Sequence, residues 1–309
     1  MSEASNGPRK PKLPHADADF YVLDGERRPM PRTTTVIDRG IGKPFLTTWA
    51  AKLERQKVLE EVAAVLGKHL DEVRTKAVLR DVKKRLGRDL ACDVQKQVAA
   101  DFGTATHALL EDHLREKAAL PGLDRTDEPE PEPLVTRAAG LAKDWLEAIA
   151  FEPDPEGIEE RLWSEDERIW SAGTADAFGT ADLDRLLARS TWNRKYEVKE
   201  RPGSRVPLLV DWKTSKSIGV SHKVQAGAYL TYMIDRGRIQ APCYACILRV
   251  AKTEDDPMPL EAVLIHPAEF ARYGGAFRYI RRIFNFLSQE EDLERAQWRA
   301  RRRTASAGS

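Results

Sequence analysis

Leu208-Leu209-Val210-Asp211-Trp212-Lys213-Thr214 decides the reading of this chain. An apolar run of this length, opened by Pro207 and closed by polar residues, reads as a buried strand. Residues i and i+2 of a strand face the same side. Asp211 and Lys213 therefore project together, and Trp212 points to the other face. A carboxylate and an ammonium at the end of an apolar strand form the centre from which the rest of the sequence can be placed.

Upstream, SAGTADAF (171–178) and RLWSEDERIW (161–170) have the same short, Gly- or Pro-bounded texture. Ala172-Gly173-Thr174-Ala175-Asp176 sets a second acid behind small residues. If this segment pairs beside 208–214, Asp176 and Asp211 converge. Downstream, Val220–Ile234 reads as a helix, CYACILRV (243–250) and LEAVLIH (260–266) as strands. Pro267 to Leu287 reads as an amphipathic helix through Phe270, Tyr273, Phe277, Ile280, Phe284 and Leu287.

The first half has a different character. Residues 1–19 are polar with Pro8, Pro11 and Pro14, and read as a disordered tail. Phe20–Met30 carries an Asp24-Gly25 hairpin signal. Phe45–Leu66, Asp71–Leu90 and Cys92–Ala119 read as helices, the last as one or two. Acidic proline-rich segments at 121–134 and at EPDPEGIEE (152–160) read as linkers, since proline breaks helix interiors. Val135–Phe151 between them reads as a helix. The expected layout is a helical region over 20–120, a linker over 121–134, a core over 135–290 and a basic tail over 291–309. The fold class is α/β, a sheet with interleaved helices carrying a helical N-terminal elaboration.

The chain has 309 residues, length for two domains or one with an elaboration. At 41% hydrophobic and 32% charged it has material for a core, which excludes a wholly disordered chain or a collagen. Lys plus Arg number 50 and Asp plus Glu 49, so the net charge of +1 advertises no nucleic-acid partner globally. Cations gather at Arg74–Arg88, Arg278–Arg282 and Arg299–Arg303. The opening residues hold no secretory apolar core, and no run approaches the roughly 18 apolar residues of a membrane helix. Cys92, Cys243 and Cys246 are too few for a disulfide framework. A cytoplasmic protein without membrane contact is expected.

Two carboxylates about 4 Å apart repel by roughly 4 kcal/mol at an effective dielectric near 20. A proton or a divalent cation relieves that, and Mg²⁺ suits one or two carboxylates with several waters. A metal there lowers the pKa of a bound water, and a neighbouring lysine steadies developing charge. That set is suited to phosphodiester hydrolysis. Two helical pairs extend it. In Gly103-Thr104-Ala105-Thr106-His107, His107 shares a helix face with Glu111. In Gln225-Ala226-Gly227-Ala228-Tyr229, the glutamine and tyrosine share a face with small residues between.

The ordered set GTATH with Glu111, AGTAD, DWKT and QAGAY resembles the RecB-like branch of the PD-(D/E)XK nuclease superfamily, over about residues 31–250. TTTVIDRGIGKPFLTTWAAKL (33–53) also resembles the opening of phage members. The resemblance implies a restriction-endonuclease-like central mixed sheet flanked by helices, and a Mg²⁺- or Mn²⁺-dependent DNA exonuclease of phage or bacterial recombination or repair. It implies His107, Asp176, Asp211 and the Trp212 backbone carbonyl as metal ligands, with Lys213 as the catalytic lysine. Gln225 and Tyr229 would support the site and contact DNA, and Glu111 would hold His107 or a neighbouring arginine. A helicase or recombinase is an expected class of partner. A non-catalytic DNA-binding or recombination-accessory module keeping the fold is the alternative.

Some positions compete. Asp182, in a second copy GTAD, rivals Asp176; the preceding Trp170-Ser171 favours Asp176. The long interval to Asp211 makes 185–207 an insertion. Glu165 is a further candidate acid, and His113 reads as surface. Some relatives bind an iron–sulfur cluster through four cysteines; three cysteines predict none. Cys243 and Cys246 read as buried structural thiols.

Overall fold

The structure, a computed structural model, describes residues 15–17, 20–21, 30–42, 44–66, 82, 84, 90–125 and 130–307. The Asp24-Gly25 turn and nearly all of the Arg74–Arg88 segment lie outside them. So does most of the 1–19 segment.

The chain divides into two compact units, residues 42–106 and residues 1–41 with 107–309. The described part of the smaller unit is helical. It contains α2 (Pro44–Leu66) and the first part of α3 (Ala91–Lys117). Inside it, the Cys92 main-chain N–H donates to Glu54 Oε1 at 3.0 Å. The boundary falls inside the region expected as one piece over 20–120. Residues before 42 belong with the core because α1 (Thr33–Ile41) buries Val36 and Ile37 in the central apolar cluster.

In the larger unit β1 (His15–Asp17), β2 (Phe20–Tyr21) and β3 (Met30–Pro31) form a small antiparallel sheet. The main sheet has six strands: β4 (Glu152–Ser164), β5 (Ser171–Asp182), β6 (Thr191–Trp192), β7 (Arg205–Lys213), β8 (Tyr244–Val250) and β9 (Leu260–Ile265). Their order is β4-β5-β7-β8-β9-β6. β7 and β8 are parallel, as are β6 and β9, and the other neighbours are antiparallel. The protein is thus α/β with a mixed sheet flanked by helices. A parallel pair needs a crossover, and α6 (Val220–Asp235) connects β7 to β8. The remaining helices are α4 (Pro133–Ala148), α5 (Leu183–Ala188) and α7 (Phe270–Ala307).

One sheet face packs against α1, α6 and α7. Leu209, Ala245 and Ile247 meet Tyr229, Met233, Phe277 and Ile280 there. α4 packs against β8, burying Val135, Ala138, Ala142, Trp145 and Leu146 at helical spacing. α6 and α7 touch backbone to backbone: a Cβ at Gly227 would come 2.7 Å from the Gly274 nitrogen.

Three expectations change. EPDPEGIEE is no linker but the first part of β4. β4 lies at the sheet edge, where prolines leave no ladder bond unmade. Its register shifts between Pro153 and Ile158. Residues 185–207 include β6, which pairs with β9 at the other edge. The 291–309 segment is not a separate tail, because α7 runs on to Ala307. Its Ala- and Arg-rich sequence has no Pro or Gly before Gly308 to stop it. Arg281, one of the cations grouped above, is buried and donates to the Ile169 and Trp170 carbonyls.

Candidate metal centre

β5 and β7 pair in register from Asp182–Arg205 to Ala177–Val210. The next residues in that register are Asp176 and Asp211. The strands thus hold the two acids opposite each other at the end of the ladder, as their expected pairing required. The Trp212 N–H does not continue the ladder; it donates to Asp176 Oδ2 at 2.7 Å. In a strand the N–H and C=O of one residue share an edge, so the Trp212 carbonyl faces the edge where Asp176 lies. Trp212 is almost wholly buried.

α3 brings His107 to the same place, with Nδ1 3.3 Å from Asp176 Oδ1 and 4.0 Å from Glu159 Oε1. Ligand atoms of His107, Glu159 and Asp176 all lie within 4.8 Å of one another. Sequence reasoning missed Glu159, because its segment reads as a linker. The register on either side, Ile158–Ala177 and Glu160–Ala175, leaves Glu159 opposite Asp176. Glu159 has φ +48°, a region a non-glycine residue occupies only when its surroundings hold it there.

Asp211 and Lys213 project together as expected, with Nζ 2.6 Å from Oδ2. Lys213 is thus the partner of Oδ2, while among the described residues Oδ1 of the buried Asp211 carboxylate has no hydrogen-bond donor. A buried acceptor left so is costly and needs a partner.

The charges compete in one place. Burial, then the Asp176 charge, push the Glu159 carboxyl up to about 8. Burial pushes Asp211 up to about 6, against the pull of Lys213. Burial acts on Asp176 in the same sense, but His107, Lys213 and the Trp212 N–H outweigh it and hold Asp176 below the usual carboxylate range. Burial disfavours charge on His107 and Lys213 also. Asp176 overcomes this for His107, and Asp211 with Asp176 overcome it for Lys213, so both sit above their ordinary values. Three carboxylates thus face one imidazole and one ammonium. The excess of acid, the imidazole nitrogen and the unpartnered Asp211 Oδ1 fit a hard divalent cation.

On α6, Gln225 Nε2 donates to the Tyr229 hydroxyl at 2.7 Å. The hydroxyl keeps its own proton to donate. Burial, then the charge of Asp211, raise its pKa well above that of an ordinary tyrosine. The ring lies against the AGTAD segment: a Cβ at Gly173 would come 2.6 Å from Tyr229 Cε1 and 2.8 Å from Thr33 Oγ1. Thr33 in turn donates to the Ala172 carbonyl at 2.9 Å. Arg249, in register with Lys213 across β7 and β8, donates to the Lys216 carbonyl at 3.1 Å and to the Met258 carbonyl at 2.7 Å, and pairs with Asp256. It ties down the loop that follows the lysine.

Other candidates fall elsewhere. Glu111 pairs with Arg125 at 3.0 Å and Arg115 at 3.8 Å, so it holds arginines rather than His107. Asp182 caps α5, accepting from the Arg185 N–H, which removes it as rival to Asp176. Glu165 is exposed and takes bonds from Trp163 and Arg236. His113 lies 3.6 Å from Glu147. Cys243 and Cys246 are buried free thiols, and burial raises both, Cys243 to about 12. Among the described residues no helix is long and apolar enough to cross a membrane.

No family model matches the chain, and no curated protein matches it.

Proposed function

We propose that this protein is a Mg²⁺- or Mn²⁺-dependent deoxyribonuclease of the RecB-like PD-(D/E)XK kind, acting as an exonuclease in phage or bacterial recombination or repair. The observation that carries the reading is the gathering of His107, Glu159 and Asp176 within 4.8 Å at the strand end where Asp211 and Lys213 stand. These residues are far apart in sequence, and simple packing offers no reason to assemble three acids around one imidazole and one ammonium.

In this reading His107, Asp176, Asp211 and Glu159 would hold the cation, with the Trp212 carbonyl on the same edge. The bound ion supplies Lewis-acid polarisation of a phosphate oxygen and a water of lowered pKa. Lys213, fixed by Asp211, orients the attacking water and steadies the charge that grows on the phosphate. Water adds to phosphorus, the P–O3′ bond breaks, and the products carry a 5′-phosphate and a 3′-hydroxyl. Gln225 and Tyr229 shape the wall of the site on the α6 side.

The test is hydrolysis of end-labelled linear DNA by the full chain with Mg²⁺ or Mn²⁺, with EDTA as control. Progressive, metal-dependent shortening is expected, and Lys213→Ala and Asp211→Asn should abolish it while retaining the wild-type circular dichroism. Salt-dependent DNA binding without cleavage would replace this reading with a binding or recombination-accessory module. Equal cleavage by the variants would overturn the residue assignment.

A further inference from the structure

α7 has two apolar faces. Tyr273, Phe277, Ile280 and Phe284 are buried in the core. On the other side Tyr279, Ile283, Phe286 and Leu293 are 67%, 45%, 59% and 55% exposed. On a helix of 3.6 residues per turn these four fall within an arc of about 80° and cover ~21 Å of its length. Single exposed apolar residues are ordinary, but a continuous stripe of large ones marks an interaction surface.

The charges beside the stripe say what covers it. Exposed Arg278 and Arg282 accompany its first half, and exposed Glu290 and Glu294 its second. The ends of the stripe and these charges are symmetric about Phe286, although Ile283 mirrors onto Gln289. Tyr279 and Leu293 lie seven residues to either side, Arg282 and Glu290 four, Arg278 and Glu294 eight. A second copy laid antiparallel would put Phe286 near its own counterpart and bring each arginine to the acid end of the other helix. A parallel copy would set like charges together. A self-complementary patch of this kind closes as a two-fold dimer.

We infer that the exposed face of α7 is a homodimer interface, formed by antiparallel packing against α7 of a second copy. This is independent of the nuclease reading, since none of these side chains belongs to the metal centre. The test is sedimentation equilibrium of the full chain over a concentration series. The wild type should reach twice the monomer mass. Phe286→Asp and Arg282→Glu should each lose the dimer with unchanged circular dichroism, and adding Glu290→Arg to Arg282→Glu should restore it. A wild type that stays monomeric overturns the inference. So does a dimer indifferent to these substitutions, and so does a charge-swapped double variant that fails to recover.

Discussion

The Trp212 main-chain N–H donates to Asp176 Oδ2 at 2.7 Å. One carboxylate thus stands at the fork of β5 and β7, bound by the backbone of one strand while carried by the other. Its second oxygen, Oδ1, is 3.3 Å from His107 Nδ1.

That double use separates structure from charge. Asp176→Asn keeps an oxygen to accept from Trp212, so the protein should stay folded while the proposed Mg²⁺ binding weakens by at least the ~10-fold that loss of even an outer-shell partner brings. Asp176→Ala leaves a buried N–H unpaired and should also lose about 1–3 kcal/mol of stability. Calorimetric metal titration and urea unfolding of both variants measure the two effects.

Glu159 sets a pH dependence. Its carboxyl rises from 4.5 to about 8 on folding. A raised acid contributes most below its unfolded value, and that contribution is lost as pH rises through the folded one. Stability of the EDTA-treated protein should therefore decline between about 4.5 and about 8. Glu159→Gln should flatten the decline. Saturating Mg²⁺ should do the same and release protons as it binds. Denaturant midpoints across pH, with and without Mg²⁺, give the comparison.

Gly173→Ala places a methyl 2.6 Å from the Tyr229 ring. Overpacking of this sort costs about 1–3 kcal/mol. The shift should appear in the denaturant midpoint at unchanged slope, and the proposed nuclease activity, where present in the wild type, should fall with it because Tyr229 is displaced.

Arg249→Leu removes a buried cation and leaves the Lys216 and Met258 carbonyls without their donor. Hydrogen bonds to a charged group contribute about 1.5–3 kcal/mol, and a loss of that order is expected. Denaturant unfolding should show this loss, while Asp256→Asn, which keeps an oxygen toward the arginine, should lose clearly less.

Much of the site is legible in the sequence. Asp211 and Lys213 face one way because strand side chains alternate, a local rule that needs no knowledge of neighbours. Gln225 and Tyr229 meet because they are one helical turn apart. Asp176 is distinguished from Asp182 only by context. In the structure Asp182 opens a helix and accepts the cap bond from the Arg185 N–H. Glu111 is less legible: its arginine partner Arg125 comes from the segment after α3, which helical spacing does not reveal.

Glu159 shows where local rules stop. Pro153 and Pro155 make its segment read as a linker, yet an edge strand tolerates proline: Pro153 stands opposite Gly179, and the register shifts across Pro155. Only pairing with β5 sets Glu159 opposite Asp176. In the same way only the exposure of Tyr279, Ile283, Phe286 and Leu293 in the folded chain turns an ordinary amphipathic helix into one with a second apolar face.

By itself the sequence determined most element types along the core, though not the first part of β4 or β6, together with the α/β class and which residues share a strand face or a helix face, because these follow from periods of 2 and 3.6. The tertiary structure decided which strands are neighbours and in what register. It also decided that residues 1–41 join the core while 42–106 form their own unit, and which acids share a centre. Those outcomes depend on contacts between residues tens of positions apart, and no local period encodes them.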